Sequence, residues 1–189
     1  MDKQQKLAAG SICIGVLVLL LKYAAYALTG SIALYSDALE SIINVVTAAV
    51  AYFAIRLSAT PADANHPYGQ HKAEYFSAVL EGVLIIIAAL SILREAYYGV
   101  LSPRGLDAPL EGLAVNGLAS LLNAAWCWML IRQGRRLRSP ALVADGKHLL
   151  TDVATSCGVL AGIGLALVTG WIILDPVLAA LVAVNILWS

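Results

Sequence analysis

The sequence predicts an all-α integral membrane protein, a bundle of six transmembrane helices with cytoplasmic N- and C-termini. Three observations predict it. Of 189 residues, 60% are hydrophobic and only 13% charged, with a mean hydropathy of +0.81, whereas a soluble domain carries about 25% charged residues. Apolar stretches of about 20 residues, the length that crosses a bilayer, recur along the chain. Lys and Arg gather in alternate loops, the bias that sets membrane orientation.

The spans follow in order. The first covers about 7–29. Lys3 and Lys6 ahead of an apolar run resemble a leader peptide, but Lys22 and Tyr23 interrupt the run and five further spans follow, so it reads as a retained helix. Thr29-Gly30-Ser31 makes a tight turn into a second span over 33–57. A polar stretch from Arg56 to Lys72, with the turn formers Pro61, Pro67 and Gly69, separates it from a third span over 75–99. Ser102 to Gly105 breaks the chain before a fourth span over 110–131. Arg132 to Pro140 reads as a basic loop, and a fifth span covers 142–169. Thr169-Gly170 turns into a short sixth span over 172–188. No heptad repeat of apolar residues and no low-complexity tract stands out.

With the N-terminus inside, the inner loops collect Lys3, Lys6, Arg56, Lys72, Arg132, Arg135, Arg136 and Arg138, against Arg94 and Arg104 outside. That asymmetry predicts both termini in the cytoplasm, and a multi-pass protein of the cell (inner) membrane. The formal net charge is zero, which gives no footprint for nucleic acid. Cys13, Cys127 and Cys157 lie far apart in apolar segments and read as small buried hydrophobes. No nucleotide-binding loop is present, and no nucleophile with a base, so the chain reads as no enzyme and needs no resident cofactor.

Function is read from the polar residues inside the spans, where ionisable groups mark ion pathways. In the second span Asp37, Glu40, Ser41 and Asn44 fall at i, i+3, i+4 and i+7, one helical face. In the fifth, Asp145, His148 and Asp152 follow the same rule. Glu40 and Asn44 enter from outside, and His148 and Asp152 from inside. At about 1.5 Å per residue all lie roughly 9–17 Å deep in a core about 30 Å thick. Glu40, Asn44, His148 and Asp152 then form one metal-ligand set, suited to Zn²⁺ or a borderline first-row ion. Asp37, one turn before Glu40, is an auxiliary ligand. Protons compete for these groups, which is a physical basis for exchange of metal against protons. The alternatives are interhelical hydrogen bonding without metal, a non-transporting membrane partner or metal sensor, and a passive channel. Lys147 and Lys22 read as snorkelling or as pairing with a carboxylate. Asn116 and Asn123 read as packing or water-path groups. In the inner loop Asp63, His66 and His71 are candidates for a surface metal site, weighed against an ordinary polar turn.

Taken together, these residues resemble the membrane domain of the cation diffusion facilitator family, over nearly the whole chain. The resemblance rests on Pro61, Asp63, His66, Pro67, Tyr68, Gly69, Lys72 and Glu74, on His148 and Asp152, and on the span-two pair upstream of Pro61. It implies a homodimer that exports divalent metal from the cytoplasm in exchange for protons, by alternating access. Zn²⁺ stands foremost, with Fe²⁺, Mn²⁺ and Cd²⁺ as further candidates. It implies a transport site built from two residues of span two and the His148/Asp152 pair. Many members have Asp-xxx-Asp or His-xxx-Asp in span two; the matching positions here are Glu40 and Asn44. Asp63 and His66 match the family's loop ligands, while the third position is Gln70, beside His71. Residues 1–189 then form one membrane domain, without the cytoplasmic C-terminal domain usual in the family.

Overall fold

A computed structural model describes residues 3–58, 71–103 and 105–188; the side chains of 51, 54–58 and 71–82 are not described. Asp63 and His66 of the candidate loop site, and the side chain of His71, therefore lie outside the described residues. The described chain is six helices: α1 (Lys3–Thr29), α2 (Ile32–Ser58), α3 (His71–Leu101), α4 (Pro109–Arg136), α5 (Pro140–Thr169) and α6 (Leu174–Trp188). Five of them contain stretches long and apolar enough to cross a membrane; α6, at 15 residues, is apolar but shorter.

The helices end where the backbone demands it. Gly30 has φ +65°, a left-handed conformation open to glycine, and its N–H donates to Tyr26 O at 2.8 Å. One residue on, Ser31 caps α2, its Oγ accepting from Leu34 N at 3.1 Å. α4 runs on to Arg136, so Arg132, Arg135 and Arg136 lie on its last turns and not in a loop. Arginine is a good helix former and its charge complements a helix C-terminus; Arg132 lies over the Trp128 ring at 5.0 Å. Only three residues separate Arg136 from Pro140, and Arg138, with φ 51°, makes the turn.

Helices α1, α2, α4 and α5 form one packed group, while α3 and α6 pair with each other and lean on α2. Gln4 Nε2 donates to Leu137 O at 3.2 Å, so the start of α1 meets the α4–α5 turn on one side of the bundle. The outward faces carry large apolar residues, such as Leu20, Leu121 and Leu181 at 61–70% exposure. The buried face of α1 is Ala8, Ser11, Gly15, Val18, Lys22, Ala25 and Thr29, alternating steps of three and four. A heptad seam thus exists, but its residues are mostly small or polar, which hides it from an apolar count. Lipid tails solvate large apolar groups as well as a core does, so membrane helices approach through small residues. The α4–α5 contact shows the limit: a Cβ on Gly146 would sit 2.8 Å from Ile131 Cγ1 and 3.2 Å from Ile131 N.

Candidate functional site

The site lies where α1, α2, α4 and α5 meet. Antiparallel hairpins set its level. The α1–α2 hairpin turns at Gly30, and residues about equally far from the turn, Lys22 and Asp37, come level. The α4–α5 hairpin turns near Arg138, which brings Asn123 level with Asp152.

All four α2 residues of the polar face are buried: Asp37 at 0%, Glu40 at 8%, Ser41 at 1% and Asn44 at 3% exposure. On α5, Asp145 and Asp152 are buried and His148 is partly buried. Among the described residues, Asp37, Glu40 and Asp152 each offer a carboxylate oxygen within 4.8 Å of the others. His148 stands outside that group. Asp37, read from the sequence as an auxiliary ligand, belongs to this carboxylate group.

Lys22 enters this cluster from α1. Its ammonium donates to Asp37 Oδ1, to both oxygens of Asp152 and to Ser156 Oγ, each at 2.9 Å. Of the two readings of Lys22, the structure selects carboxylate pairing over snorkelling. Ser156 Oγ donates onward to Asp37 Oδ1 at 2.7 Å. Asn116 Nδ2 donates to Asp37 Oδ2 at 2.9 Å, and Asn123 Nδ2 to Asp152 Oδ2 at 2.5 Å. These asparagines therefore hold the carboxylates. A lysine and aspartates stripped of water need such partners, since an isolated charge in a low dielectric is very costly.

The polar atoms left over are informative. Glu40 Oε2, both side-chain polar atoms of Asn44, and His148 Nε2 are buried with no hydrogen-bond partner among the described residues. So are Asn116 Oδ1, Asn123 Oδ1 and Asp145 Oδ1, whose residues are held through their other side-chain atom. Buried polar groups are nearly always partnered, so such a set calls for a ligand. Three of the four ligands read from the sequence thus carry partnerless atoms, and the fourth, Asp152, is held by Lys22 and Asn123. Three carboxylates against one ammonium, when all are ionised, leave an excess of two negative charges. One divalent cation cancels it. Lys22, Asn116, Asn123 and Ser156 were not read as part of the site from the sequence. For Lys22 and Asn123 the signal was available: their distances from the two hairpin turns match those of Asp37 and Asp152, whereas Asn116 and Ser156 lie one to two turns further along their helices.

Two further polar features flank the cluster. On the side of the α4–α5 turn, Ser11 Oγ donates to Asp145 Oδ2 at 2.6 Å, and Trp126 Nε1 donates to Ser11 Oγ at 3.2 Å. On the side of the Gly30 turn lies a cavity of about 630 Å³, lined in part by Tyr35, Glu95, Asp107 and Asp175.

A family model described as the cation efflux transmembrane domain matches residues 8–189. An uncharacterised transporter of Synechocystis sp. is 52% identical over 169 residues, covering 89% of this chain and 54% of that protein. The zinc transporter ZitB of Yersinia pestis is 28% identical, covering 86% of this chain and 51% of that protein. The cation-efflux pump FieF of Escherichia coli is 28% identical, covering 96% of this chain and 60% of that pump. The chain spans about half to three fifths of the length of these curated relatives.

Proposed function

The chain belongs to the cation efflux family, and from that premise we propose that it forms the membrane part of a proton-coupled exporter of divalent transition metals, Zn²⁺ foremost. In this reading Glu40, Asn44, His148 and Asp152 hold the metal midway across the membrane. The observation that carries it is the set of buried, partnerless atoms on Glu40, Asn44 and His148 beside a carboxylate excess. Those donors, carboxylate and amide oxygen with imidazole nitrogen, suit Zn²⁺ and its first-row neighbours. The names of the zinc transporter and cation-efflux pump relatives point the same way. His148 and Asp152 bind protons when the metal leaves, so that a proton gradient drives the return.

The wider proposal has six membrane crossings, both termini in the cytoplasm, an inner-membrane location and a homodimer. Residues 1–189 then serve as its membrane domain. Fe²⁺, Mn²⁺ and Cd²⁺ are the competing substrates, because Asn44 is a neutral ligand.

The test is flux of Zn²⁺, Fe²⁺ and Mn²⁺ into proteoliposomes with and without an imposed proton gradient. Saturable, gradient-dependent flux that is lost in Asp152→Ala supports the proposal. Undiminished gradient-driven flux in Asp152→Ala defeats the site. One observation favours a second reading, a non-transporting metal sensor or partner: Asp152 is already engaged by a lysine. Metal bound at the site without flux would select that reading.

A further inference from the structure

Lys22 is a cation buried to 0% exposure on one of the proposed metal ligands. We infer that Lys22 is a specificity-determining residue: its ammonium is a tethered cation seated on Asp152, which an arriving ion must displace, so that divalent ions enter and monovalent ions do not. The inference rests on the proposed transport site of Glu40, Asn44, His148 and Asp152.

The geometry points to displacement. A carboxylate offers about four lone-pair directions. Lys22 takes one on Asp152 Oδ1 and, with Asn123, two on Oδ2. The one direction left lies beside the ammonium, and a cation that takes it is repelled by a like charge until Lys22 moves away. Each of the three other proposed ligands carries a partnerless buried atom. The fourth, Asp152, is the one that a built-in cation holds. A bridge needed only to join α1 to α2 would end at Asp37, which Asn116 and Ser156 also hold. Lys22 reaches past it to α5.

Displacement does not strand the lysine. Released from Asp152, its ammonium keeps Asp37 Oδ1 and Ser156 Oγ, each at 2.9 Å. Asp37 is then its resting partner, which gives that carboxylate a task other than metal ligation.

Selectivity follows from charge and tether. Being covalently held, Lys22 has a high effective concentration at Asp152. A monovalent ion brings the same charge without that advantage, and must shed its hydration shell. A divalent ion brings twice the charge to the carboxylate excess, and Coulomb energy scales with it.

The experiment measures Zn²⁺ affinity by calorimetry on the full 189-residue chain in lipid nanodiscs. It is run at one pH, with sodium chloride exchanged for N-methyl-D-glucamine chloride at constant ionic strength. The wild type binds Zn²⁺ equally in both salts. Lys22→Met binds Zn²⁺ more tightly, by about tenfold or more, and loses that gain in sodium. Lys22→Arg keeps a cation there and behaves as wild type. Should Lys22→Met fail to fold, Lys22→Met with Asp37→Asn keeps the net charge of the cluster and carries the same readout. Wild-type affinity and no sodium effect in the neutral variants overturn the inference while leaving the transport site standing. Wild-type protein without saturable Zn²⁺ binding, or with binding that survives Asp152→Ala, overturns the site itself and the inference with it.

Discussion

Asp175→Ala should destabilise the bundle by loosening the start of α2, the helix that carries Glu40 and Asn44. Asp175 sits in the first turn of α6 with 4% exposure. Its Oδ1 accepts from Ser31 Oγ at 2.5 Å and from Ala33 N at 3.3 Å, and its Oδ2 accepts from Ile32 N at 2.7 Å. It therefore satisfies two of the orphan N–H groups at the α2 N-terminus, with a negative charge on the positive end of the helix dipole. Removing the carboxylate leaves both N–H groups without an acceptor. At about 1–3 kcal/mol for each buried group left unpaired, the expected loss is about 2–4 kcal/mol, the lower half being favoured because Ile32 is only partly buried. Asp175→Asn keeps one acceptor oxygen and should lose about 1–2 kcal/mol. The assay is SDS-driven unfolding in mixed micelles, followed by circular dichroism. An Asp175→Ala protein as stable as wild type within about 0.5 kcal/mol would refute the reasoning, because surface changes alone stay in that range.

Further expectations follow from other contacts. Gly146→Val places a branched side chain against Ile131 at the α4–α5 contact; overpacking should cost about 1–3 kcal/mol or more in the same assay, while Gly117→Ala, with open space around its Cβ, should cost little. Asn123→Leu removes the donor to Asp152 Oδ2 and should destabilise the protein by about 1.5–3 kcal/mol, read as a lower SDS midpoint. Metal binding should weaken as pH falls, because the ligands must be deprotonated: each proton displaced makes affinity drop by up to about tenfold per pH unit, and calorimetry at two pH values reads the slope. With the native cysteines replaced, Arg135→Cys should react with an impermeant maleimide only from the cytoplasmic side, and Ser102→Cys only from outside; labelling of both from one side would refute the proposed topology.

Much of the fold was legible in the chain itself. Apolar stretches and their breaks determined the helices, because backbone polar groups in lipid must be satisfied within the helix and only turn formers interrupt it. Gly30 and Gly170 mark turns with φ +65° and +72°. The boundaries moved most at the cytoplasm-facing ends of the proposed topology, where arginines continue α4 as far as Arg136. Helical spacing also determined which residues of α2 and α5 share a face, since the period of one helix is a local property. What the spacing did not contain was the pairing between helices. Whether Lys22 snorkels or meets Asp152 depends on how α1 is rotated against α2 and α5, and only close packing fixes that rotation. The same holds for Asn116 and Asn123 on the carboxylates and for Asp175 at the α2 N-terminus. The seam that sets the rotation is built from small and polar residues such as Ser11, Gly15 and Ala25. Lipid supplies no contrast between a large apolar residue facing outward and one facing inward, so the packing face of these helices became visible only in the tertiary structure.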